Sequence, residues 1–396
     1  MLALILLAPP GPVAETPRPA RCELSLTVRG KLTVQVGGDK PEGLPLSATA
    51  RHTFVEFTDR PGRLVRDYSV ATSTSQVAGE RAVRELPADR RRIVAQQTAT
   101  GLVHYSPAGP LARDELELVA EHLSPAAVAA LLPGAPVAVG GTWRPPADAV
   151  RVACHLDGLT ACEVVGSLTA ENAFALSGTV SGVENGAAVR INLTAAGTLD
   201  PNTRLVTKLR WEQADDRGQG PASPASEVTA VAEWLRTPAD RPATADLPAG
   251  DSIPTALTDL RFADPKGRFT LTHSRDWFAV GQTADHVVLR LIDGGRFVAQ
   301  ATLSPWRATG PTPADEFRAA VRKQPGWQAE AELAAGELAG GLYRVAARGT
   351  LDGRPVIQTA YLVGGRLAVS VLAEAATAGA VAGRDERLAR GVSLRP

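Results

Sequence analysis

The cysteines are the side chains whose spacing most directly admits chemistry. Cys154 and Cys162 are close enough in sequence to close a small disulfide loop in an oxidising compartment, while Cys22 stands apart. Such a loop would stabilise by somewhat less than the ~3 kcal/mol of a loop about 15 residues long. Two free buried thiols fit the same spacing equally well. The cysteines do not make a zinc site, which takes a full set of Cys or His ligands in paired short spacings. Cys154 precedes His155, yet neighbours on a helix point in different directions and do not pair as nucleophile and base.

Carboxylates and imidazoles are the next candidates. Glu115, Glu117 and Glu121 crowd one segment, and Glu117 and Glu121 fall one helical turn apart. A carboxylate pair could stand so, but a solvated acidic face is the ordinary explanation of that spacing. His122 adjoins Glu121; the remaining histidines, His52, His104, His155, His273 and His286, are scattered without metal-ligand spacing. No Gly-x-Ser-x-Gly elbow occurs, and Gly37-Gly38 and Gly140-Gly141 read as turns, not as a phosphate-binding loop. The expectation is therefore a non-enzymatic chain with no catalytic, metal or cofactor-binding residues and no cofactor.

Composition narrows the partners. Lys plus Arg equals Asp plus Glu at 42 each, so the basic excess that offsets phosphates in a nucleic-acid binder is missing. The densest basic run, Arg90-Arg91-Arg92, follows Asp89 and reads as a solvated turn or strand edge. Leu2 and the apolar residues up to Ala8 are too few to span a bilayer. Followed by prolines and small residues, they fit a secretory signal cut after Ala14. The expectation is an extracytoplasmic chain, periplasmic or secreted and peripheral to a membrane at most, with a frayed apolar N-terminus on a cytosolic chain as the alternative.

The elements that would position any site are mostly strands. At 396 residues more than one core is expected. Leu24, Leu26 and Val28, then Leu32 and Val34, alternate with polar residues and predict a strand, interrupted at Gly30. Further strands are expected over 46–58, 63–77, 90–98 and 102–106, joined by short turns that imply antiparallel neighbours. Helices are expected at 113–132, in two pieces, and at 147–155. Strands then resume over 163–168, 173–183, 187–197, 204–213 and 227–235, with Asn185-Gly186 a strong hairpin signal. The stretch 237–256 lacks apolar periodicity and reads as a linker. The chain thus divides into a signal-like segment (1–20), a β-rich domain (21–236), that linker, and a domain over 257–396.

The last region orders its elements as strand, hairpin, helix, three strands and a closing helix over 375–390 that ends at Gly391. Phe269-Thr270-Leu271 precedes Trp277, and the strand from Ile357 to Leu362 precedes Gly364-Gly365-Arg366. This order resembles the PsbP-like family, although Arg275-Asp276 stands where a proline often precedes the tryptophan. The resemblance implies an antiparallel sheet sandwiched by helices and a binding or assembly role, and carries no active-site residues. The N-terminal region resembles in outline the half-barrel lipoprotein carriers of bacterial envelopes. From Pro133-Gly134 through Trp143 it resembles planctomycete-type secreted proteins.

The expected fold class is α+β. A large curved antiparallel sheet, half-barrel-like, with central helices precedes a smaller antiparallel α/β/α sandwich. Whether the large sheet consists of two related halves is left open by the lack of a sharp repeat. The expected function is an exported binding or scaffold protein whose partner is a protein or an apolar small molecule, with no nucleic acid. An enzyme with a dispersed carboxylate site and an oligomeric envelope component are the alternatives.

Overall fold

The computed structural model describes residues 19–34, 41–98, 101–120, 125–203, 205–242, 247–250, 252–310, 312–323 and 326–395. The signal-like segment, the turn at Gly37-Gly38-Asp39, Glu121 and His122 lie outside them.

The N-terminal half is one 12-stranded sheet. Its first meander is β1 (Ala20–Val34), β2 (Glu42–Arg60), β3 (Arg63–Val77), β4 (Glu80–Glu85), β5 (Arg92–Thr98) and β6 (Gly101–Tyr105), with β4 hairpinned onto β3. A short β7 (Leu111–Ala112) leads to α1 (Arg113–Ala120), α2 (Pro125–Ala130), β8 (Thr142–Trp143) and α3 (Ala147–Ala153). The second meander is β9 (Gly158–Ala170), β10 (Ala173–Glu184), β11 (Ala187–Leu199), β12 (Val206–Arg217) and β13 (Ala225–Pro238). Strand order is β6-β5-β3-β2-β1-β13-β12-β11-β10-β9-β8. The chain runs outward along one wing, crosses to the far edge through the helices, and meanders back until β13 pairs with β1. Every pairing in this sheet is antiparallel, as its short turns require.

Side-chain alternation decides which face is covered. From Ala187 to Leu199 each second residue is buried and each intervening one exposed. The buried residues share a core with Leu116, Val119, Val128, Val150 and Ala153 of the helices, so this is the sheet's inner face. Asn185 and Gly186 turn the β10–β11 hairpin with φ of 48° and 81°, as a two-residue turn compatible with the strand twist demands.

Gly30 does not interrupt β1. A Cβ there would lie 2.1 Å from the Glu227 carbonyl oxygen of β13. The missing side chain lets the two backbones close up, and pairing continues on both sides.

The C-terminal half contains α4 (Thr255–Thr258), β14 (Leu260–Ala263), β15 (Phe269–His273), β16 (Trp277–Gln282), β17 (Val287–Asp293) and β18 (Arg296–Pro305). They are followed by α5 (Pro313–Val321), β19 (Trp327–Leu338), β20 (Leu342–Leu351), β21 (Arg354–Val363), β22 (Leu367–Glu374), α6 (Ala378–Val381), α7 (Arg384–Arg390) and β23 (Val392–Leu394). Seven strands form a sheet ordered β16-β17-β18-β22-β21-β20-β19. Phe317 and Val321 of α5 pack with Ala360 and Leu362 on one face. Val381 of α6 and Leu388 of α7 pack with Tyr361 and Val369 on the other.

Several details differ from the sequence reading. The strand β19 was not expected, because its Ala- and Glu-rich sequence carries no two-residue period; it is an edge strand with mostly exposed side chains. The closing helix over 375–390 is two short helices, separated where Gly383 takes φ of 78°. Gly391 ends α7 with φ of −73°, outside the left-handed region. Its glycine is required by contact instead: a Cβ would sit 1.9 Å from the Thr272 carbonyl oxygen.

The two halves are joined. Strand β7 pairs in parallel with β14, adding a strand from the N-terminal half to the small sheet β23-β15-β14-β7. Arg113 donates to the carbonyls of Arg275 and, at 3.1 Å, Trp277, and lies over the Phe278 ring at 4.2 Å. Arg275 answers by donating to the carbonyl of His104, while its Nε holds the carbonyl of Thr258 in its own half at 2.7 Å. The stretch read as a linker is tied down as well. Leu247, Ile253 and Leu257 pack against Phe57, Val65, Val94 and Tyr105, and Arg63 donates to the Pro248 carbonyl at 2.9 Å.

Candidate functional site

The inner face of the large sheet carries rows of directly opposed residues. One row runs Ala50, Leu26, Ala232, Trp211; the next Ala48, Val28, Ala230, Gln213; the third Leu46, Gly30, Val228, Asp215. Apart from Leu26, the middle of the face is therefore built from Ala, Gly and Val, which fill little depth. A cavity of about 220 Å³ lies over this shallow patch. Its floor is Leu24, Leu26 and Val28 of β1 with Val228, Ala230 and Ala232 of β13. Ala153, Cys154 and His155 at the end of α3 close it from above.

One wall is polar. Along β12, Trp211, Gln213, Asp215 and Arg217 are spaced by two and so share the inner face. Trp211 donates from Nε1 to Gln213 at 2.7 Å, and Gln213 donates to Asp215 at 2.9 Å. Arg217 donates to Glu184 of β10. Burial raises the proton affinity of Glu184 above the usual carboxylate range, with Arg217 opposing and Asp215 adding to the rise. Burial raises that of Asp215 too. The cavity thus has an apolar floor and a wall of hydrogen-bonded, partly desolvated charge. That combination suits a ligand with one greasy end and one polar end.

The residues singled out from sequence distribute as follows. Cys154 is buried at the end of α3, and Cys162 is half-buried on β9 against the same core; both are free thiols in this structure. Burial pushes the Cys154 thiol up to about 12, with the charges of Asp215 and Cys162 adding to the rise. In an oxidising compartment the two cysteines are expected to join. Mass spectrometry under non-reducing conditions should then find the protein about 2 Da lighter than its reduced form. A persistent thiol count of three would leave them as packing residues.

His155 follows Cys154 at the cavity with φ of 55°, while His52, His104 and His273 are buried elsewhere. Glu115 caps its own helix by accepting from the Ala112 N–H at 2.7 Å, and Glu117 faces Arg84 at 3.5 Å. The structure does not bring these glutamates into the cavity. The basic run is occupied by ion pairs: Arg92 clasps Asp67 at 2.7 and 2.9 Å, and Arg91 reaches Glu85.

Sequence reasoning missed the β12 wall. Its signal lies in the sequence, because the alternation of Leu209 and Trp211 continues by twos into Gln213, Asp215 and Arg217. Polar residues on a core-facing phase mark a place where the core is open.

No family model and no curated protein matches the sequence. Solved structures give only distant likenesses. Lipovitellin aligns over 58% of this chain at 8% identity and a TM-score of 0.32, and the chain spans 26% of that one's length. Salmonella typhi OmpF in complex with daunomycin aligns over 90% of this chain and 97% of its own at 8% identity, with a TM-score of 0.14. The MucA/MucB complex of Pseudomonas aeruginosa aligns over 95% and 94% at 14% identity, with a TM-score of 0.15. Scores this low assign neither fold nor function. Among the described residues no helix is long and apolar enough to cross a membrane.

Proposed function

We propose that the chain is an exported, non-catalytic binding protein whose large sheet holds the apolar end of a small amphiphile. The observation that carries this reading is the cavity over Leu26, Val28, Ala230 and Ala232 with its polar wall at β12. At about 220 Å³ it falls below the size that encloses a whole drug-sized ligand, so it takes a chain end and leaves the remainder outside. The apolar run from Leu2 to Ala8 supports export. The C-terminal half belongs to the same proposal as a PsbP-like contact module, supported by its antiparallel sheet with helices on both faces.

Acid–base catalysis by Glu184 and Asp215 is a second reading, favoured by the raised proton affinity of two carboxyls in one cavity. Binding is preferred because Arg217 and Gln213 already engage them.

Trp211 reports on the choice. Titration with lauroyl lysophosphatidylcholine below its micellar concentration should shift Trp emission saturably, and Trp211→Phe should remove that change. Glu184→Gln and Asp215→Asn should keep the shift if the site only binds. A non-saturable response, or one that survives Trp211→Phe, would rule out this cavity as the binding place.

A further inference from the structure

A second cavity, of about 410 Å³, lies in the C-terminal half between the seven-stranded sheet and the α6–α7 pair. It is open because the residues facing it are small: Ala346 on β20, Ala373 on β22, and Ala378 and Ala382 beside Gly383. Among the charged groups around it, two are already engaged. Asp385 accepts a hydrogen bond from the buried Tyr361 hydroxyl at 2.9 Å, and Glu386 is paired with Arg390 at 2.6 Å. Arg344 stands opposite Tyr361 on β20 and lines the same cavity. It has no ion pair and no hydrogen-bond acceptor among the described residues, and its Nε is shielded from water.

A guanidinium kept half-buried without an acceptor costs free energy that a bound anion would recover. Its planar fork suits a carboxylate, and the surrounding Ala346, Ile357 and Val371 suit a compact hydrocarbon body. We propose that this cavity binds a small aliphatic carboxylate, with Arg344 receiving the carboxylate and the α6–α7 pair covering the aliphatic part.

This proposal is independent of the amphiphile site, since no residue lines both cavities. The test uses the full chain and 4-methylpentanoate, read by saturation transfer to its methyl protons and by calorimetry. Saturable binding is expected for the carboxylate, with the neutral 4-methylpentanamide and the cation isoamylammonium failing to compete. Arg344→Gln should weaken binding by roughly tenfold to a hundredfold, the loss of a charge-assisted hydrogen bond, with thermal unfolding unchanged. Should that variant not fold, the comparison of carboxylate, amide and ammonium on the wild-type chain still decides. Equal binding of the amide, preference for the ammonium ion, absence of carboxylate binding, or full binding by Arg344→Gln would each overturn the proposal.

Discussion

Between pH 6.5 and pH 4 the folded state is expected to lose several kcal/mol of stability, because buried neutral histidines must be exposed before they can charge. His52 is 3% exposed and His273 4%. Burial holds each imidazole well below its ordinary value of 6.5, at about 4, with Arg66 adding to the effect at His52. Above pH 6.5 neither state binds the proton, so these groups contribute no pH dependence. As pH falls from 6.5 to 4 the unfolded chain takes up protons that the folded chain refuses, and the balance moves toward unfolding. Below about 4 both states are protonated and the loss levels off. At 1.36 kcal/mol per pH unit, each histidine accounts for about 3 kcal/mol across the window. Glu184 and Asp215 act in the opposite direction, since their raised affinities let the folded state take protons first. The informative measurement is therefore a difference. Urea midpoints for the wild type, His52→Gln and His273→Gln, taken from pH 7 down to pH 4.2, should show each variant losing less stability than the wild type. Parallel curves would mean that neither imidazole is held neutral.

The second large effect is expected at Glu56 and Arg66. These residues stand directly opposite on β2 and β3, with Nε and Oε2 at 2.9 Å and side chains only 3% and 0% exposed. Arg66 also lies over the Phe54 ring at 5.2 Å. Removing one partner from a buried pair strands a charge in low dielectric, at about 3–5 kcal/mol. The two sides should not be equal. A stranded carboxyl can shed its charge by taking up a proton, whereas a guanidinium cannot. Glu56→Ala is therefore expected to be the worse lesion and Arg66→Met the milder one. The double replacement Glu56→Leu with Arg66→Met should recover most of the loss, because an apolar pair of similar volume packs where the ions did. Chemical denaturation of these variants together with Glu56→Leu alone completes the double-mutant cycle. Additive losses, or a Glu56→Ala variant within about 1 kcal/mol of the wild type, would show that the pair is solvated in a way its geometry does not suggest.

How far the fold was legible follows from which physical signal each element carries. Strand β11 was readable because Val189, Ile191 and Leu193 alternate with Arg190, Asn192 and Thr194, and one face of the sheet is buried. Its turn was readable because Asn185-Gly186 is among the few dipeptides that accept two positive φ values. Strand β19 was not readable: it is stabilised by pairing along one side with β20, and an exposed edge imposes no apolar period on its sequence. Gly30 was misread for a related reason, since glycine signals a break only when no neighbouring backbone needs the space. The sites were harder still. Trp211, Gln213 and Asp215 reveal themselves only once the face is known to be otherwise apolar, and Arg344 only once its lack of an acceptor is seen. Neither depends on a local motif.

The reciprocal arginine contacts between the halves have a consequence for the autonomy of each. Arg113 spends its donors on carbonyls of the C-terminal half, and Arg275 reaches back to the His104 carbonyl of the N-terminal half. Leu260, at the start of β14, is wholly enclosed in the core of the other half. Severed near residue 256, either fragment would carry a raw apolar scar and orphaned guanidinium groups where its counterpart had been. Damage in one half should therefore loosen the other, and a substitution far from either cavity can still reach it by way of the seam.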